Sequence, residues 1–283
     1  MPVLVPTSLD QAVSMLSATP DALVLAGGTD AMVEVNAGHR KPHHVLVVNR
    51  VAELRSWTFD PEASTVRIGS AVTYAELMEP PIADLVPALA EASRTVGSPQ
   101  IRHAGTLGGN LGTCSPAGDG LPALAALDAI VHLASAAGER SMSIAEFMVG
   151  VKRNARRPAE LITAVTVPVV SGYQGYSKVG VRNAMVIALA TACIVVDMPG
   201  RTVRLAIGSV GTTIIRCTDA EAFAASAVDF DSGTASADAV TRFGELAAAA
   251  SRPIDDHRAT ADYRRHAIGV MAGRLLRRGF ANV

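Results

Sequence analysis

Two glycine turns carry hydroxyl or amide side chains of a kind that binds anions. The first, AGGTD, spans residues 26–30, and the second, GTLGGN, spans residues 105–110. Glycine lacks a Cβ, so its backbone reaches positive φ and lets neighbouring N–H groups converge on a negative charge. Two such turns predict a diphosphate site, with Thr29, Thr106 and Asn110 at its rim.

The two turns do not match the patterns of the common nucleotide sites. Neither is GxGxxG, so a Rossmann dinucleotide site is not indicated, and neither is followed by the lysine of a P-loop, which disfavours ATP hydrolysis. A Gly-Gly pair after a strand is also common as an ordinary turn. The prediction of an anion site therefore depends on the presence of both glycine turns.

A carboxylate follows the second turn. Asp119 ends the sequence SPAGD and precedes a helix predicted to begin at Leu121. An ionised carboxylate accepts hydrogen bonds from hydroxyl groups, and Asp is also a favoured N-cap residue. The residues alone leave both roles open.

Short alternating elements must position these residues. Hydrophobic spacing and turn residues predict helices at 7–19, 74–79, 86–96, 121–127 and 261–277, and strands at 22–26, 44–49, 65–69, 129–133, 161–167 and 203–207. The apolar run Met185–Val196 is too short for the ~20 residues of a membrane span and is predicted to be buried. Composition changes near residue 170, where we predict a domain boundary. The pattern favours an α+β or mixed α/β fold.

Composition narrows the classes of function. With 283 residues, 49% of them hydrophobic, the chain can bury two or three compact units, and a net charge of −1 gives no field for nucleic acid or an anionic membrane. The N-terminus lacks the pattern of a secretory signal. The three cysteines are too far apart for a cluster or disulfide framework, and no histidine lies at metal-ligand spacing, so we expect a cytoplasmic protein without a metal site of its own.

Six motifs, taken together, resemble a known family. In chain order they are AGGTD (26–30), IGSAVTYAEL (68–77), IRHAGTLGGNLGTCSPAGD (101–119), AELITAVTVP (159–168), YSKVGVRNAMVIA (176–188) and VRLAIGSVGTTIIR (203–216). They resemble the FAD-binding medium subunit of molybdenum-containing hydroxylases, which include xanthine and carbon monoxide dehydrogenases, and are most similar to the xanthine dehydrogenase type. The resemblance covers nearly the whole chain. It implies a two-subdomain, PCMH-like FAD-binding fold in residues 1–170, split near residue 55, and a C-terminal α+β domain with a small antiparallel sheet and helices in residues 171–283.

The resemblance also implies which residues bind FAD. The positions that match the diphosphate motifs are Ala26, Gly27, Gly28, Thr29, Asp30, Ile101, Thr106, Leu107, Gly108, Gly109 and Asn110. Asp119 matches an aspartate that binds ribityl or sugar hydroxyls. Leu161 and Ile162 match apolar positions against a ring edge. Lys178 matches a lysine near the isoalloxazine, where a cation favours the anionic reduced flavin. No residue of this chain is expected to be a catalytic acid or base.

Two positions depart from the family pattern. His103 stands where the family often has Asn, so the hydrogen-bonding role of that Asn does not carry over directly. His103 is a candidate to stack on or bond to the cofactor instead, and it also raises the question of covalent flavin attachment. The first turn reads AGGTD, whereas carbon monoxide dehydrogenases tend to have AGGHS. This difference favours oxidation of xanthine, another N-heterocycle or an aldehyde by the whole complex.

The implied function is electron transfer between partner subunits and an acceptor. The chain lacks the four thiolates that each [2Fe–2S] cluster needs, and it lacks a domain for a molybdenum pterin. Both cofactors are expected on partners, a small iron–sulfur subunit and a large molybdenum subunit, in a dimer of heterotrimers that passes electrons through FAD to NAD+ or another acceptor. A stand-alone FAD-dependent oxidoreductase of related fold and a non-redox nucleotide-binding protein remain alternatives.

The last predicted helix is rich in arginine. Its arginines, Arg264, Arg265, Arg274, Arg277 and Arg278, are predicted to face water while the apolar stripe packs on the C-terminal domain. A contact with a partner subunit is the alternative for this face.

Overall fold

The described part of the protein, residues 2–281 of a computed structural model, consists of short helices and small sheets that alternate along the chain. Met1, Asn282 and Val283, the end residues of the two predicted domains, lie outside this range.

The strands are β1 Val3–Leu4, β2 Leu23–Leu25, β3 Val45–Val47, β4 Trp57–Asp60, β5 Thr65–Gly69, β6 Ile130–Ser135, β7 Gly138–Ser143, β8 Met148–Gly150, β9 Arg153–Asn154, β10 Leu161–Pro168, β11 Gln174–Val179, β12 Ala190–Asp197, β13 Thr202–Gly208, β14 Ile215–Arg216, β15 Val228–Asp229 and β16 Thr234–Ala235. The helices are α1 Leu9–Ala18, α2 Ala31–Asn36, α3 Ala52–Arg55, α4 Ile82–Leu85, α5 Pro87–Arg94, α6 Pro99–Ala104, α7 Leu107–Thr113, α8 Gly120–Ala126, α9 Ile144–Phe147, α10 Thr218–Ala227, α11 Ala237–Ala250 and α12 Ala261–Gly279.

A small parallel sheet, in the order β1-β3-β2, lies at the start of the chain. Helix α1 is capped by Ser8, whose hydroxyl accepts the Gln11 N–H, and it buries Leu16 against Leu46 and Leu54. Because AGGTD follows β2 directly, the first glycine turn lies at the carboxyl end of this sheet.

The second sheet is antiparallel and has β10 at its centre. Its order is β4-β5-β10-β6-β7, and Val165 of β10 pairs with Ile68 on one side and with Val131 on the other. The β10 sequence LITAVTVP is almost continuously buried, as expected for a central strand. Residues of α5, α7 and α8 share its core, so this sheet positions the second glycine segment and the helix after Asp119.

The third sheet, in the order β11-β12-β13-β14, carries the C-terminal helices. Helices α11 and α12 approach closely at two glycines, because a Cβ on Gly244 would lie 2.5 Å from the Gly269 carbonyl oxygen. Helix α8 also packs against β12 and β13, which brings residues near Asp119 to the start of this sheet. Together the three layers confirm the predicted α+β fold class.

Some predicted elements were wrong at their ends or in their type. The helix predicted at 74–79 is a single 3₁₀ turn, Glu76–Met78, because Glu79 leads into Pro80-Pro81, where a helix cannot continue. The apolar run 185–196 was predicted to be buried, but Met185 and Ile187 are exposed and the strand begins only at Ala190, where pairing with β11 and β13 starts.

Other elements gave no clear sequence signal. Strands β4 (WTFD) and β7 (GERSMS) form the edges of the second sheet, where one or both faces are exposed and hydrophobic alternation is weak. The prediction that the α12 arginines face water was wrong for Arg264. This side chain is buried and donates to the backbone carbonyls of Leu189 and Ser209, which no sequence pattern indicates.

Across residues 2–281 we find no helix with the length and apolar content needed to cross a membrane.

Candidate functional site

A cleft of about 440 Å³ runs between the first glycine turn, α7, the SPAGD segment and the start of β10. Most of the predicted site residues line it, namely Ala26, Gly27, Gly28, Thr29, Asp30, Thr106, Gly108, Gly109, Asn110, Asp119, Leu161 and Ile162. Residues far apart in the chain are therefore brought into one concave site.

The first turn requires glycine at positions 27 and 28 for two different structural reasons. Gly28 has φ of 71°, in the left-handed region that glycine adopts without strain. Gly27 allows a close backbone approach, because a Cβ there would lie 1.6 Å from the Ala104 carbonyl oxygen. The turn is thus pressed against the end of α6, next to the second glycine segment.

The first turn leaves a row of backbone donors free. Within residues 2–281, the N–H groups of Gly27, Gly28, Thr29 and Asp30 donate to no protein acceptor, and the Thr29 hydroxyl also has no hydrogen-bond partner there. Buried backbone N–H groups in folded proteins are nearly always paired, whereas residues 27–29 are half-buried and Asp30 is exposed, so these donors are accessible from the cleft. Adjacent free donors on the wall of a cleft form a concave site for an anion.

The second glycine segment is a helix, not the predicted loop. Thr106 is the N-cap of α7, and its hydroxyl accepts the Gly109 N–H at 3.0 Å. The N–H groups of Leu107 and Gly108 donate to the carbonyls of Val72 and Ser70. The prediction that these N–H groups are free to hold a phosphate is therefore wrong, because capping and packing on the 70–72 segment already use them.

Asn110 joins α7 to the SPAGD segment. Its Oδ1 accepts the Gly120 N–H at 3.1 Å, and its amide leaves no room for a Cβ on Gly118, which would lie 2.4 Å from Nδ2. The Asn110 side chain thus holds the turn that carries Asp119 through Oδ1, while its Nδ2, the donor predicted to face pyrophosphate, has no hydrogen-bond acceptor among the described residues.

Asp119 forms a buried ion pair with Lys178. The Lys178 Nζ lies 2.8 Å from Asp119 Oδ2, and the side chains are only 8% and 11% exposed. The Tyr176 hydroxyl donates to the other oxygen, Oδ1, at 3.0 Å, and Lys178 also donates to the Thr95 carbonyl. Asp119 is the N-cap residue of α8, but its side chain forms no cap bond, because its two oxygens accept from Lys178 and Tyr176.

Burial controls the proton affinity of this cluster. Loss of solvent raises the pKa of Asp119 above its usual value, and the attraction of Lys178 opposes that rise only in part. Burial and the charge of Asp119 raise the pKa of Tyr176 as well. Tyr176 is therefore a neutral donor to the carboxylate at neutral pH.

Two polar contacts cross the mouth of the cleft. The Thr113 hydroxyl donates to Asp30 Oδ2 at 2.9 Å, and Lys152 pairs with Glu34 at 2.7 Å. The hydrogen bond and charge of Lys152 lower the pKa of Glu34. One oxygen of the predicted ligand Asp30 is thus already engaged by the protein.

Three predicted residues do not line the cleft. Ile101 packs on Gly97, Leu107 lies in the core, and Lys178 reaches the cleft wall only through Asp119. His103 is exposed on α6 and is also absent from the lining. Leu161 and Ile162 line the cleft but are largely buried in β10.

Sequence reasoning missed several lining residues, namely Ser70, Tyr74, Val96, Arg40, Arg156 and Ile187. Ser70 and Tyr74 belong to the motif IGSAVTYAEL, whose position in that motif was a usable signal. The two arginines gave none, because isolated surface arginines are common.

Family models match almost the entire chain. Residues 1–170 match the "FAD binding domain in molybdopterin dehydrogenase", and residues 176–278 match the "CO dehydrogenase flavoprotein C-terminal domain". The chain belongs to this family of FAD-binding medium subunits. It is therefore the FAD-binding subunit of an oxidoreductase complex, as the sequence resemblance predicted.

Named relatives of this FAD-binding subunit act in several complexes. It is 36% identical over 192 residues to a nicotinate dehydrogenase FAD-subunit of Eubacterium barkeri, a match that covers 65% of this chain and 64% of the relative. It is 31% identical over 290 residues to the carbon monoxide dehydrogenase medium chain of Hydrogenophaga pseudoflava, with 98% and 96% covered. The two relatives differ in the reaction named.

A solved structure supports the same fold for the FAD-binding subunit. The carbon monoxide dehydrogenase of Hydrogenophaga pseudoflava that lacks the Mo-pyranopterin moiety superimposes with a TM-score of 0.90 at 28% identity, covering 99% of this chain and 97% of the other.

The cleft has groups that fit FAD. The free N–H groups of the first turn suit the negative charge of a diphosphate, Asp119 retains lone pairs that accept hydroxyl hydrogen bonds, and Leu161, Ile162 and Val96 supply apolar wall. Among the described residues, no group of three or more histidine, cysteine or acidic side chains is arranged to hold a metal ion.

Proposed function

We propose that the FAD diphosphate binds the first turn, through the N–H groups of Gly27, Gly28, Thr29 and Asp30 and the Thr29 hydroxyl. The unpartnered N–H groups of this turn are the observation that supports the assignment. Thr106, Gly108 and Gly109 then form the opposite wall and act by shape more than by donated hydrogen bonds, while the Asn110 amide donates to the diphosphate.

The flavin end of the cofactor lies at the Asp119 end of the cleft in this proposal. Asp119 accepts hydrogen bonds from the ribityl or sugar hydroxyls, Leu161 and Ile162 contact a ring edge, and Lys178 contributes positive charge beside the isoalloxazine. The support is the buried Asp119–Lys178 pair at the cleft wall. The protein binds and orients the cofactor without acid or base catalysis.

The chain serves electron transfer within a larger assembly in this proposal. When bound, FAD supplies the redox chemistry between [2Fe–2S] clusters of a small subunit and NAD+ or another acceptor. A large molybdenum subunit oxidises the substrate, which we propose to be xanthine, another N-heterocycle or an aldehyde. The AGGTD turn and a relative named for nicotinate support this range.

The organisation proposed for the chain follows the same reasoning. An FAD-binding domain covers residues 1–170, split near residue 55, and a C-terminal domain covers residues 171–283. We propose a dimer of heterotrimers in the cytoplasm, a compartment that suits three buried cysteines without a disulfide.

The test is native purification followed by an absorption spectrum and identification of the co-purifying chains. We expect a flavin spectrum, a small iron–sulfur chain and a large molybdenum chain, with flavin bleaching when the oxidisable substrate is added. A colourless, lone chain would contradict the proposal. Yellow colour that stays on acid-precipitated protein, or turnover by the isolated chain, would favour a stand-alone flavoenzyme instead.

A further inference from the structure

Arg264 is a buried arginine in the first turn of helix α12. It is 4% exposed, although it lies on the arginine-rich helix α12. Its Nη1 donates to the carbonyls of Leu189 at 3.0 Å and Ser209 at 3.1 Å. Its Nη2 lies 2.7 Å from Asp256 Oδ1. Burial of a cation is costly unless partners compensate it, and here Nη1 and Nη2 have three acceptors while Nε has none among the described residues.

The two carbonyls that Arg264 holds belong to segments that lead to the Asp119–Lys178 pair. The Leu189 N–H donates to the carbonyl of Val179, the residue after Lys178, at 2.8 Å. The Ser209 N–H donates at 2.8 Å to the carbonyl of Pro116, in the SPAGD turn that ends at Asp119. One guanidinium group therefore ties together the backbones behind both partners of the pair.

Ser209 adds a second link between these segments. Its φ is 62°, a left-handed conformation that is uncommon for a residue with a side chain. Its hydroxyl donates to the Ala188 carbonyl at 3.0 Å. Strained conformations persist where the surrounding structure fixes them, and here the hydroxyl, the N–H and the carbonyl of one residue each hold a different segment.

Asp256 keeps Arg264 in place. Its Oδ1 also accepts the N–H groups of Arg258 at 2.8 Å and Ala259 at 3.1 Å, and these bonds lower the pKa of Asp256 to about 2. The carboxylate is therefore ionised at neutral pH. The backbone N–H groups just before α12 thus fix the Asp256 carboxylate that binds the Arg264 side chain.

We propose that Arg264 and Ser209 are positioning residues that hold Asp119 and Lys178 in register from the C-terminal domain, and thereby tune the bound flavin. Neither residue lines the cleft. They act through two backbone segments whose separation is limited because a single Nη1 atom bonds both carbonyls. This inference rests on the proposed position of the isoalloxazine beside Lys178.

The test is the midpoint potential of the bound flavin in the purified complex. Arg264→Lys keeps the charge but removes the planar fork that reaches three acceptors. We expect it to lower the potential, in the same direction as Lys178→Met but by less, because a displaced cation stabilises the reduced flavin less well. Arg265→Lys is the matched control, since within residues 2–281 the exposed Arg265 pairs only with Asp262, and it should cause no shift.

A double-mutant cycle separates positioning from general effects. If Arg264 acts through the pair, Arg264→Lys should cause no further shift in the Lys178→Met background. An additive shift, or no shift from Arg264→Lys where Lys178→Met gives one, would overturn the inference. If Lys178→Met itself leaves the potential unchanged, the proposed flavin position fails first, and the inference falls with it.

A milder variant covers the case in which the Arg264 variant does not assemble. Ser209→Ala removes the hydroxyl that bonds Ala188 and leaves every charge in place. We expect a smaller lowering of the potential that also disappears in the Lys178→Met background. A wild-type potential in this variant would contradict the role of Ser209.

Discussion

The two glycine segments, residues 26–30 and 105–110, have similar residues, but their backbone N–H groups have opposite roles. In residues 26–30 the glycines leave N–H groups free on the cleft wall, whereas in residues 105–110 the N–H groups after Thr106 are all used inside the protein. The first is a turn, and the second is the start of α7. Glycine content alone thus indicates that two backbones approach closely, but it does not indicate which segment keeps free N–H donors for a ligand.

The difference arises from what each segment packs against. The first turn follows a parallel sheet and meets the end of α6 at Gly27, with no acceptor from residues 2–281 opposite its N–H groups. The second lies against residues 70–72, whose carbonyls are unpaired by their own sheet and accept from Leu107 and Gly108. Gly108 is needed there because a Cβ would lie 2.5 Å from Ser70 atoms.

The largest expected effect comes from adding a methyl group where the segments touch other backbones. Gly27→Ala and Gly108→Ala should each lower the free energy of unfolding by about 3 kcal/mol, because the clash is with atoms that cannot rotate away. Urea denaturation followed by circular dichroism measures this. A loss below about 1 kcal/mol at either position would show that the backbones separate easily.

An effect of similar size concerns the buried Asp119–Lys178 pair, which the second segment supports. Lys178→Met should lower the free energy of unfolding by about 3 kcal/mol at neutral pH, because it leaves a buried carboxylate without its counter-charge. Burial raises the pKa of Asp119 above the unfolded value, so the native state binds the extra proton and the loss should shrink as pH falls.

Urea denaturation of the wild type and of Lys178→Met at about pH 8 and about pH 5.5 tests whether the loss of stability shrinks on acidification. The double variant Lys178→Met with Asp119→Asn serves as the control, since it has no carboxylate to protonate and should lose the pH dependence. A loss that grows on acidification would contradict the direction of the Asp119 pKa.

A smaller effect separates the roles of the two threonines. Thr106→Val should lower the free energy of unfolding by about 1 kcal/mol, because it removes the α7 cap. Thr29→Val should leave stability unchanged and weaken FAD binding about tenfold, because its hydroxyl has no partner in the described part of the protein and is expected to bond the diphosphate. Titration of the flavin-depleted complex with FAD measures the affinity. Equal effects of both variants on stability would remove the distinction between the segments.

The smallest effect lies on the same helix as Gly108. Gly112→Ala should raise the free energy of unfolding by about 0.5–1 kcal/mol, since alanine favours a helix and the new Cβ would meet only Ile162 Cδ1, at 4.0 Å. The gain, measured beside Gly108→Ala, shows that the cost at Gly108 comes from its contact and not from its helical position. A loss at Gly112 would indicate an unrecognised role of that glycine.

Much of the fold was predictable because apolar runs bounded by turn residues form buried strands. The strands predicted at 22–26, 65–69, 161–167 and 203–207 are confirmed as β2, β5, β10 and β13. Segment α7 was not predicted, because three glycines in LGGNLGT oppose helix formation locally and only the Thr106 cap and burial against residues 70–72 compensate.

The sequence by itself determined the family, the cofactor and the segments that form the cleft, because motif order and glycine spacing are local properties. Only the tertiary structure decided which donors are free, that Asp119 pairs with Lys178 across 59 residues, and that Arg264 is buried. Each of these depends on which backbone lies opposite a given group. That choice is made by sheet order and helix packing, and the residue types themselves do not encode it.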